Sequence, residues 1–279
     1  MMTEDISLDI GASSNILLSR LTAEDKQLIQ PHLQRREIHS RDLLERKNRP
    51  IKAAYFIEKG LVAIMGNTLD GHTEELGLVG RSGMTGLSLL LGVDQSPHDA
   101  LVLIPGSCLR IERATLWSLM ELSPSLKEHL CRYLQAFIVL MAQTALVKSN
   151  ANVKIRLARW ILMAHDRIHS NELPITHELL SILLGVRRPG VTVALHELEA
   201  AGLIHSMRGW ITITDREGLE ELTGGYYGLA EAEYERLIGV SPYTMQQTSR
   251  VAAPSKSKRA ETDVQSSKAS GKISVPPYS

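Results

Sequence analysis

The chain has 279 residues, room for about two domains, and its 43% of apolar residues is enough for real cores. Aromatics make up only 4%, so those cores must be built from Leu, Ile and Val. Lys and Arg balance Asp and Glu at 31 each, which argues against tight, unspecific coating of a polyanion. Cys108 and Cys131 are the only cysteines; far apart and outside any C-x-x-C motif, they cannot hold an iron–sulfur cluster by themselves and fit a reducing, cytoplasmic setting. No signal peptide is evident. The longest apolar stretch, Phe137 to Val147, is too short to span a bilayer, so no membrane partner is expected.

In chain order, residues 1–14 read as a flexible arm. Residues 15–116 read as a β-roll domain of sensor-like character. Within it Thr22 caps a helix running to about Leu33, with Leu28 and Ile29 inward. Short β-prone runs then alternate with turn residues: Ala54–Ile57, Leu61–Met65, Glu74–Val79 and Leu101–Ile104. Asp70-Gly71 reads as a hairpin turn, and Pro105-Gly106 as another turn. From Ala114 the pattern becomes helical, and 117–151 is expected as a dimerisation helix. Leu126, Leu130, Tyr133, Phe137, Leu140, Thr144 and Val147 follow strict 4-3 spacing, the signature of a seam between two helices. The competing reading of that stripe is a helix packed along its own domain.

Residues 152–222 carry the densest local signals. An amphipathic helix is expected over 153–168. Thr176 follows Ile175 and precedes Leu180 by four, an N-cap with a hydrophobic staple. Gly185 sits where a short inter-helix turn needs positive φ. Arg188 before Pro189 marks the start of a second helix, with Arg188 at the cap; Val191, Leu195 and Leu198 share one face. Gly202 ends it, Leu203–His205 and Trp210–Thr214 form a ribbon across a turn at 206–209, and Asp215 caps a further helix. Helix, turn, helix and ribbon in this order make a winged helix-turn-helix, so double-stranded DNA is the expected partner. Candidate contacts are Thr176, Arg187, Arg188, Gly190, Thr192, Val193, His196 and, at the wing tip, Arg208. Residues 223–279 read as an extra helical segment followed by a disordered tail: 217–240 holds six Glu against one Arg, whereas 241–279 holds six Lys or Arg against two acids.

The order of β-roll, long seam helix and winged helix-turn-helix resembles the Crp/Fnr family of bacterial transcription regulators over residues 17 to 222. It rests on ITHELLSILLGVRRPGVTVALHELEAAGLI, and on YFIEKGLVAIM and LVGRSGMTGLSLLLG. The resemblance implies an α+β fold: an N-terminal double-stranded β-roll, cupin-like and similar to cyclic-nucleotide-binding domains, then the dimerisation helix and the DNA-binding domain. It also implies a homodimer that reads a palindrome near a promoter, with RNA polymerase as a candidate partner. Family members that bind cyclic AMP carry Gly-Glu and then Arg-Ser or Arg-Thr in the phosphate cassette. Here these positions match Gly86-Leu87 and His98-Asp99, so the ribose carboxylate and the phosphate-binding arginine are both missing. The effector pocket is therefore expected to be degenerate and the protein independent of cyclic nucleotides. The N-terminus lacks the cysteine set of the family's cluster-bearing branch, and His32, His39, His72 and His98 read as solvated or satisfied residues rather than haem ligands. The recognition stretch, Arg187-Arg188-Pro189-Gly190-Val191, replaces the family's cytosine-reading Glu by Pro189, so its target should differ from the best-known sites. No HExxH or His-x-His motif is present; His165 and His169 lack a third ligand, so no metal, cofactor or enzymatic activity is expected. The alternative function is a ligand sensor or protein-interaction module with a degenerate DNA-binding domain.

Overall fold

In the computed structural model, residues 13–69, 71–168 and 170–242 are described; most of the expected arm, Asp70 of the hairpin turn, His169 and the tail from 243 lie outside them. Two short helices, α1 (Ile16–Ser19) and α2 (Ala23–Ile29), precede the strands β1 (Gln34–Ile38), β2 (Leu43–Glu45), β3 (Ala53–Ile57), β4 (Leu61–Asn67), β5 (Thr73–Val79), β6 (Asp99–Ile104) and β7 (Gly106–Glu112). Thr22 caps α2 as expected, accepting from the Asp25 amide, but the α-helix stops at Ile29 and tightens into a 3₁₀ turn to His32. The strands form two antiparallel sheets, ordered β1-β7-β3 and β2-β6-β4-β5. Phe56, Ile57, Leu61, Leu78, Met84, Leu89 and Leu109 are fully buried in the shared core. The four expected runs are strands. β1 was not legible because four of its five residues, Gln34 to Glu37, are exposed and carry no alternation. β7 begins immediately after Pro105, and a Cβ at Gly106 would sit 2.2 Å from the Lys59 carbonyl, so the strand can pass there only as glycine.

The helical stretch is two helices, α3 (Arg113–Leu122) and α4 (Pro124–Asn150), separated by Ser123, which caps α4 with Pro124 in its first turn. Asp25 fastens this break to α2: Ser123 Oγ and Ser125 Oγ donate to its two oxygens at 2.5 and 2.7 Å. The expected intersubunit seam requires correction. Leu126, Leu130, Tyr133, Phe137, Leu140, Thr144 and Val147 are all buried within one protomer. The Tyr133 hydroxyl donates to the Met84 carbonyl at 3.1 Å, and the Phe137 ring lies against Gly77, where a Cβ would come within 2.9 Å. A 4-3 stripe reports that a helix face is covered, not what covers it. Part of the cover is α9 (Leu229–Ile238), an acidic helix that returns from the C-terminal side to pack on α4, its Tyr234 hydroxyl donating to the Ser82 carbonyl at 2.7 Å. The face of α4 left open carries Ile138 and Leu146, 50% and 48% exposed, beside the half-buried Leu134 and Met141. Apolar on both sides, α4 is long and apolar enough to cross a membrane, a length the uninterrupted run Phe137–Val147 understated. Its buried face is spent on the roll and α9.

α5 (Val153–Ile168) follows after Ala151 and Asn152 and spans the residues expected of it. It is pinned to the roll by polar contacts in a buried seam. Trp160 Nε1 donates to Glu75 Oε2 at 2.6 Å, and Arg167 Nε donates to the Leu78 carbonyl at 3.0 Å. Lys148 Nζ reaches both Glu74 Oε2, at 2.7 Å, and the Glu75 carbonyl, at 2.6 Å. Glu75 is 2% exposed, and burial pushes its carboxyl up to about 7 against an ordinary 4.5. A carboxyl that holds its proton more tightly when folded makes stability fall as pH rises from 4.5 to about 7. Glu75→Gln keeps a group that accepts from Trp160 and removes the titration. It is expected to flatten that part of the stability–pH curve and to stabilise the protein at pH 8 by at most about 3 kcal/mol. Urea unfolding at a series of pH values checks this; Asp166, raised to about 6 by burial, leaves a smaller slope of the same sign.

Candidate nucleic-acid interface

The C-terminal half is built from local signals. α6 (His177–Leu183) starts at Thr176, whose hydroxyl accepts from the Leu179 amide at 3.2 Å. Gly185 takes φ +61° in the turn, and α7 (Arg188–Ala200) leaves it at 107° to α6, within the range of helix-turn-helix units. The cap of α7 is Arg187 rather than Arg188: Arg187 is extended, with φ −70° and ψ 143°, and Pro189 stands at the second helical position. Val191, Ala194, Leu195 and Leu198 are buried beneath α7, and Gly202 closes it at φ +74°. The wing consists of β8 (Glu172–Leu173), β9 (Ile204–Met207) and β10 (Trp210–Ile213), with β10 in the centre. β9 runs farther than expected, so the tip shrinks to Arg208 and Gly209, with Gly209 at φ +82°. α8 (Arg216–Leu222) follows under its Asp215 cap.

Between α7 and the wing lies a groove of about 700 Å³, lined by Thr176, His177, Glu178, Arg188, His196 and Arg208 among others. It brings Thr176, Arg188, His196 and Arg208 together. Arg187, the cap of α7, and Gly190, Thr192 and Val193 on it lie outside that lining. Arg187, Arg188, His196 and Arg208 are exposed, and Val193 is 57% exposed. Among the described residues, none of the three arginines has a carboxylate partner, so each is available to a phosphate or a base edge. A Cβ at Gly190 would meet nothing within 4 Å. Two candidates are less available: the Thr176 hydroxyl is spent on its cap, and the Thr192 hydroxyl donates to the Arg188 carbonyl at 3.2 Å and lies 3.4 Å from His177 Nδ1. His177 and Glu178 were missed as groove residues. The cap at Thr176 already placed them at the head of α6, beside it.

The roll holds a second, smaller cavity of about 180 Å³ against α4. Leu87, His98, Asp99 and Glu45 line it from the roll, and Leu134, Phe137, Ile138 and Met141 from α4. Gly86, at φ +83°, adjoins it, and its amide donates to Glu45 Oε1 at 2.5 Å. An internal carboxylate thus takes the backbone donor that an anionic ligand would need, and burial pushes its pKa up. Asp99 is equally occupied, accepting from the Lys47 amide at 2.8 Å and Asn67 Nδ2 at 3.2 Å. Burial lowers the pKa of His98, which disfavours a cation there. With two carboxylates and no arginine in the lining, and a volume below the roughly 300 Å³ at which small-molecule sites begin, these residues do not fit a cyclic nucleotide. Glu45 went unrecognised because its partner stands 41 positions away in sequence.

Residues 155–222 match the model of the Crp-like helix-turn-helix domain, and residues 35–123 match that of the cyclic nucleotide-binding domain. FixK2 from Bradyrhizobium japonicum is 16% identical over 68% of this chain and 96% of its own, with a TM-score of 0.60. A Crp/Fnr-family transcriptional regulator from Thermus thermophilus is 22% identical over 69% and 100%, with a TM-score of 0.56. The c-di-GMP responsive global regulator CLP of Xanthomonas campestris is 20% identical over 69% and 99%, with a TM-score of 0.55. These likenesses show a shared fold. No curated protein matches by sequence. Arg188→Ala is expected to weaken binding to the best duplex site by about 1–3 kcal/mol, and Arg208→Ala to weaken all duplexes alike and lower the salt slope by about 1. Fluorescence anisotropy across a salt series distinguishes the two; unchanged affinity in Arg188→Ala removes it from the interface.

Proposed function

We propose that the chain, which carries a cyclic nucleotide-binding domain and a Crp-like helix-turn-helix domain, is a DNA-binding transcriptional regulator of the Crp/Fnr family that acts as a homodimer on a palindromic site without a cyclic nucleotide. The observation that carries this reading is the groove between α7 and the wing, which presents Arg188, His196 and Arg208 to solvent while Val191 and Leu198 are buried beneath α7. A short recognition helix contacts few base pairs, so two copies across neighbouring half-sites supply the specificity. Arg188 and the exposed Val193 are the base-reading candidates, for a guanine edge and a thymine methyl; Arg187, Gly190 and Arg208 are assigned to the phosphate backbone. The family is one of regulators and not of enzymes. The protein works where DNA is, in the cytoplasm, and RNA polymerase is its natural further partner at a promoter.

The dimer contact is assigned to the open face of α4. Leu134, Ile138, Met141 and Ala145 repeat the 4-3-4 spacing beside the stripe that the protomer itself buries, a seam distinct from it. Leu134, Ile138 and Met141 also line the small cavity, so a paired helix would close over it. Cyclic-nucleotide independence is supported by the Glu45 carboxylate on the Gly86 amide and by the acidic lining.

Selection of bound sequences from a random duplex pool at physiological salt tests the whole reading. A two-fold palindrome with half-sites about one helical turn apart is expected; the absence of any enriched motif, with or without cyclic AMP, overturns it. Ile138→Glu is expected to give a folded monomer, because it places like charges in the pairing face. Phe137→Glu, one residue away, is expected to unfold the protomer by burying a charge against Gly77. Light scattering and circular dichroism separate these outcomes, and a dimeric Ile138→Glu variant counts against the seam.

A further inference from the structure

A third cavity, of about 410 Å³, opens where the β3–β4 and β6–β7 turns meet the loop after α5 and the wing strand β10. Lys59, Arg81 and Ile104 line it from the roll; Arg167, Pro174 and Trp210 line it from the DNA-binding half. Arg81 is 6% exposed, and among the described residues neither its Nε nor its Nη2 has a hydrogen-bond partner. None of the described carboxylates pairs with it. Glu58 borders the cavity, but Arg35 holds both its oxygens at 3.1 Å. Glu172 also borders it and is exposed to solvent. Arg167 spends Nε and Nη1 on the carbonyls of Leu78 and Met163, which locks its position. A buried guanidinium without a counter-charge is costly, and burial pulls the Arg81 pKa down to about 10.

We propose that this junction cavity is a binding site for a small organic anion, a carboxylate or a phosphate monoester, with its charged end on Arg81 and its apolar body against Trp210. A guanidinium fork matches the geometry of an oxyanion, and Lys59 at the mouth adds attraction. Ile104, Pro174 and the 46%-exposed Trp210 offer an apolar wall for the rest of the molecule. The volume lies within the range of small-molecule sites. The site is separate from the cavity against α4, whose lining is acidic. Since its walls come from both halves of the protein, an occupant favours the present placement of the wing on the roll and so biases whatever the wing binds. That coupling to DNA rests on the reading above; the binding of the anion does not.

The full-length protein is titrated with inorganic phosphate, benzoate and phenyl phosphate while tryptophan fluorescence is followed, with chloride holding the ionic strength constant. A saturable change is expected with at least one of them, phosphate pointing to phosphate esters and benzoate to carboxylates. The change should disappear in Trp210→Phe, and about a tenfold weakening is expected in Arg81→Gln from loss of the charge-assisted contact. Arg81→Lys, which keeps the charge and loses the fork, should fall between the two, and it carries the test if Arg81→Gln does not fold. Arg188→Ala should leave the response unchanged, separating this site from the DNA groove. The proposal is overturned by no saturable response to any of the three anions. It is equally overturned by a response that survives both Arg81 variants or vanishes in Arg188→Ala.

Discussion

Everything in the protein leans on α4, because one helix serves as wall to two bodies. Its inward side closes the roll: Tyr133 is hydrogen-bonded to Met84, Phe137 fills the space above Gly77, and Leu126, Leu130 and Leu140 complete a buried row. Hydrophobic burial of this kind contributes roughly 1.5–3 kcal/mol per large side chain, so the row outweighs the polar contacts around it. Its far end carries Thr144, which accepts from Arg159 on α5 at 3.2 Å, and Lys148, which ties β5 to the helix. A helix so loaded on one side has no freedom to rotate. The neighbouring stripe through Leu134 and Ile138, at the edge of the small cavity, is therefore held at a fixed angle, which is what the proposed pairing surface requires.

Charge inside the molecule follows a consistent logic. Glu45, Glu75 and Asp166 are buried carboxyls pushed up by desolvation, and each accepts from a fixed donor: the Gly86 amide, the Trp160 indole and the Tyr227 hydroxyl with Arg216. Replacing one partner alone would strand the other, which explains why such groups behave as staples between elements distant in sequence. Arg81 departs from this pattern among the described residues, and the departure lies at a cavity wall rather than in the packed core.

What the sequence made legible was local. α5 spans 153–168 as expected because an amphipathic stripe reports itself within the segment, and the caps at Thr176 and Asp215 and the turn at Gly185 depend only on residues a few positions apart. The α7 cap stands at Arg187, one residue before the position that the pre-proline bias predicts, because the first helical turn tolerates a residue before proline. The illegible features either lacked a local period or were long-range. The exposed β1 carries no periodicity, Glu45 meets Gly86 only through the fold, and the stripe on α4 has the spacing of a coiled coil whichever surface covers it. α9 was expected as a helical segment, but its docking depends on Tyr234 meeting Ser82, 152 positions earlier.

The connection between α4 and α5 makes these contacts matter for reading DNA. Only Ala151 and Asn152 separate the helices, so the placement of α7 relative to α4 is set by how α5 is held rather than by a flexible linker. Trp160 on Glu75, Arg159 on Thr144 and Arg167 on the Leu78 carbonyl hold it, with Gly80 packed so closely on Arg167 that a Cβ would come within 2.4 Å. If two copies pair through the open face of α4, the spacing of their recognition helices is inherited from this set of contacts. A signal that alters DNA affinity must then act on it, either by breaking the buried seam between α5 and β5 or by reinforcing the junction beside Arg167, where roll and wing already share a cavity.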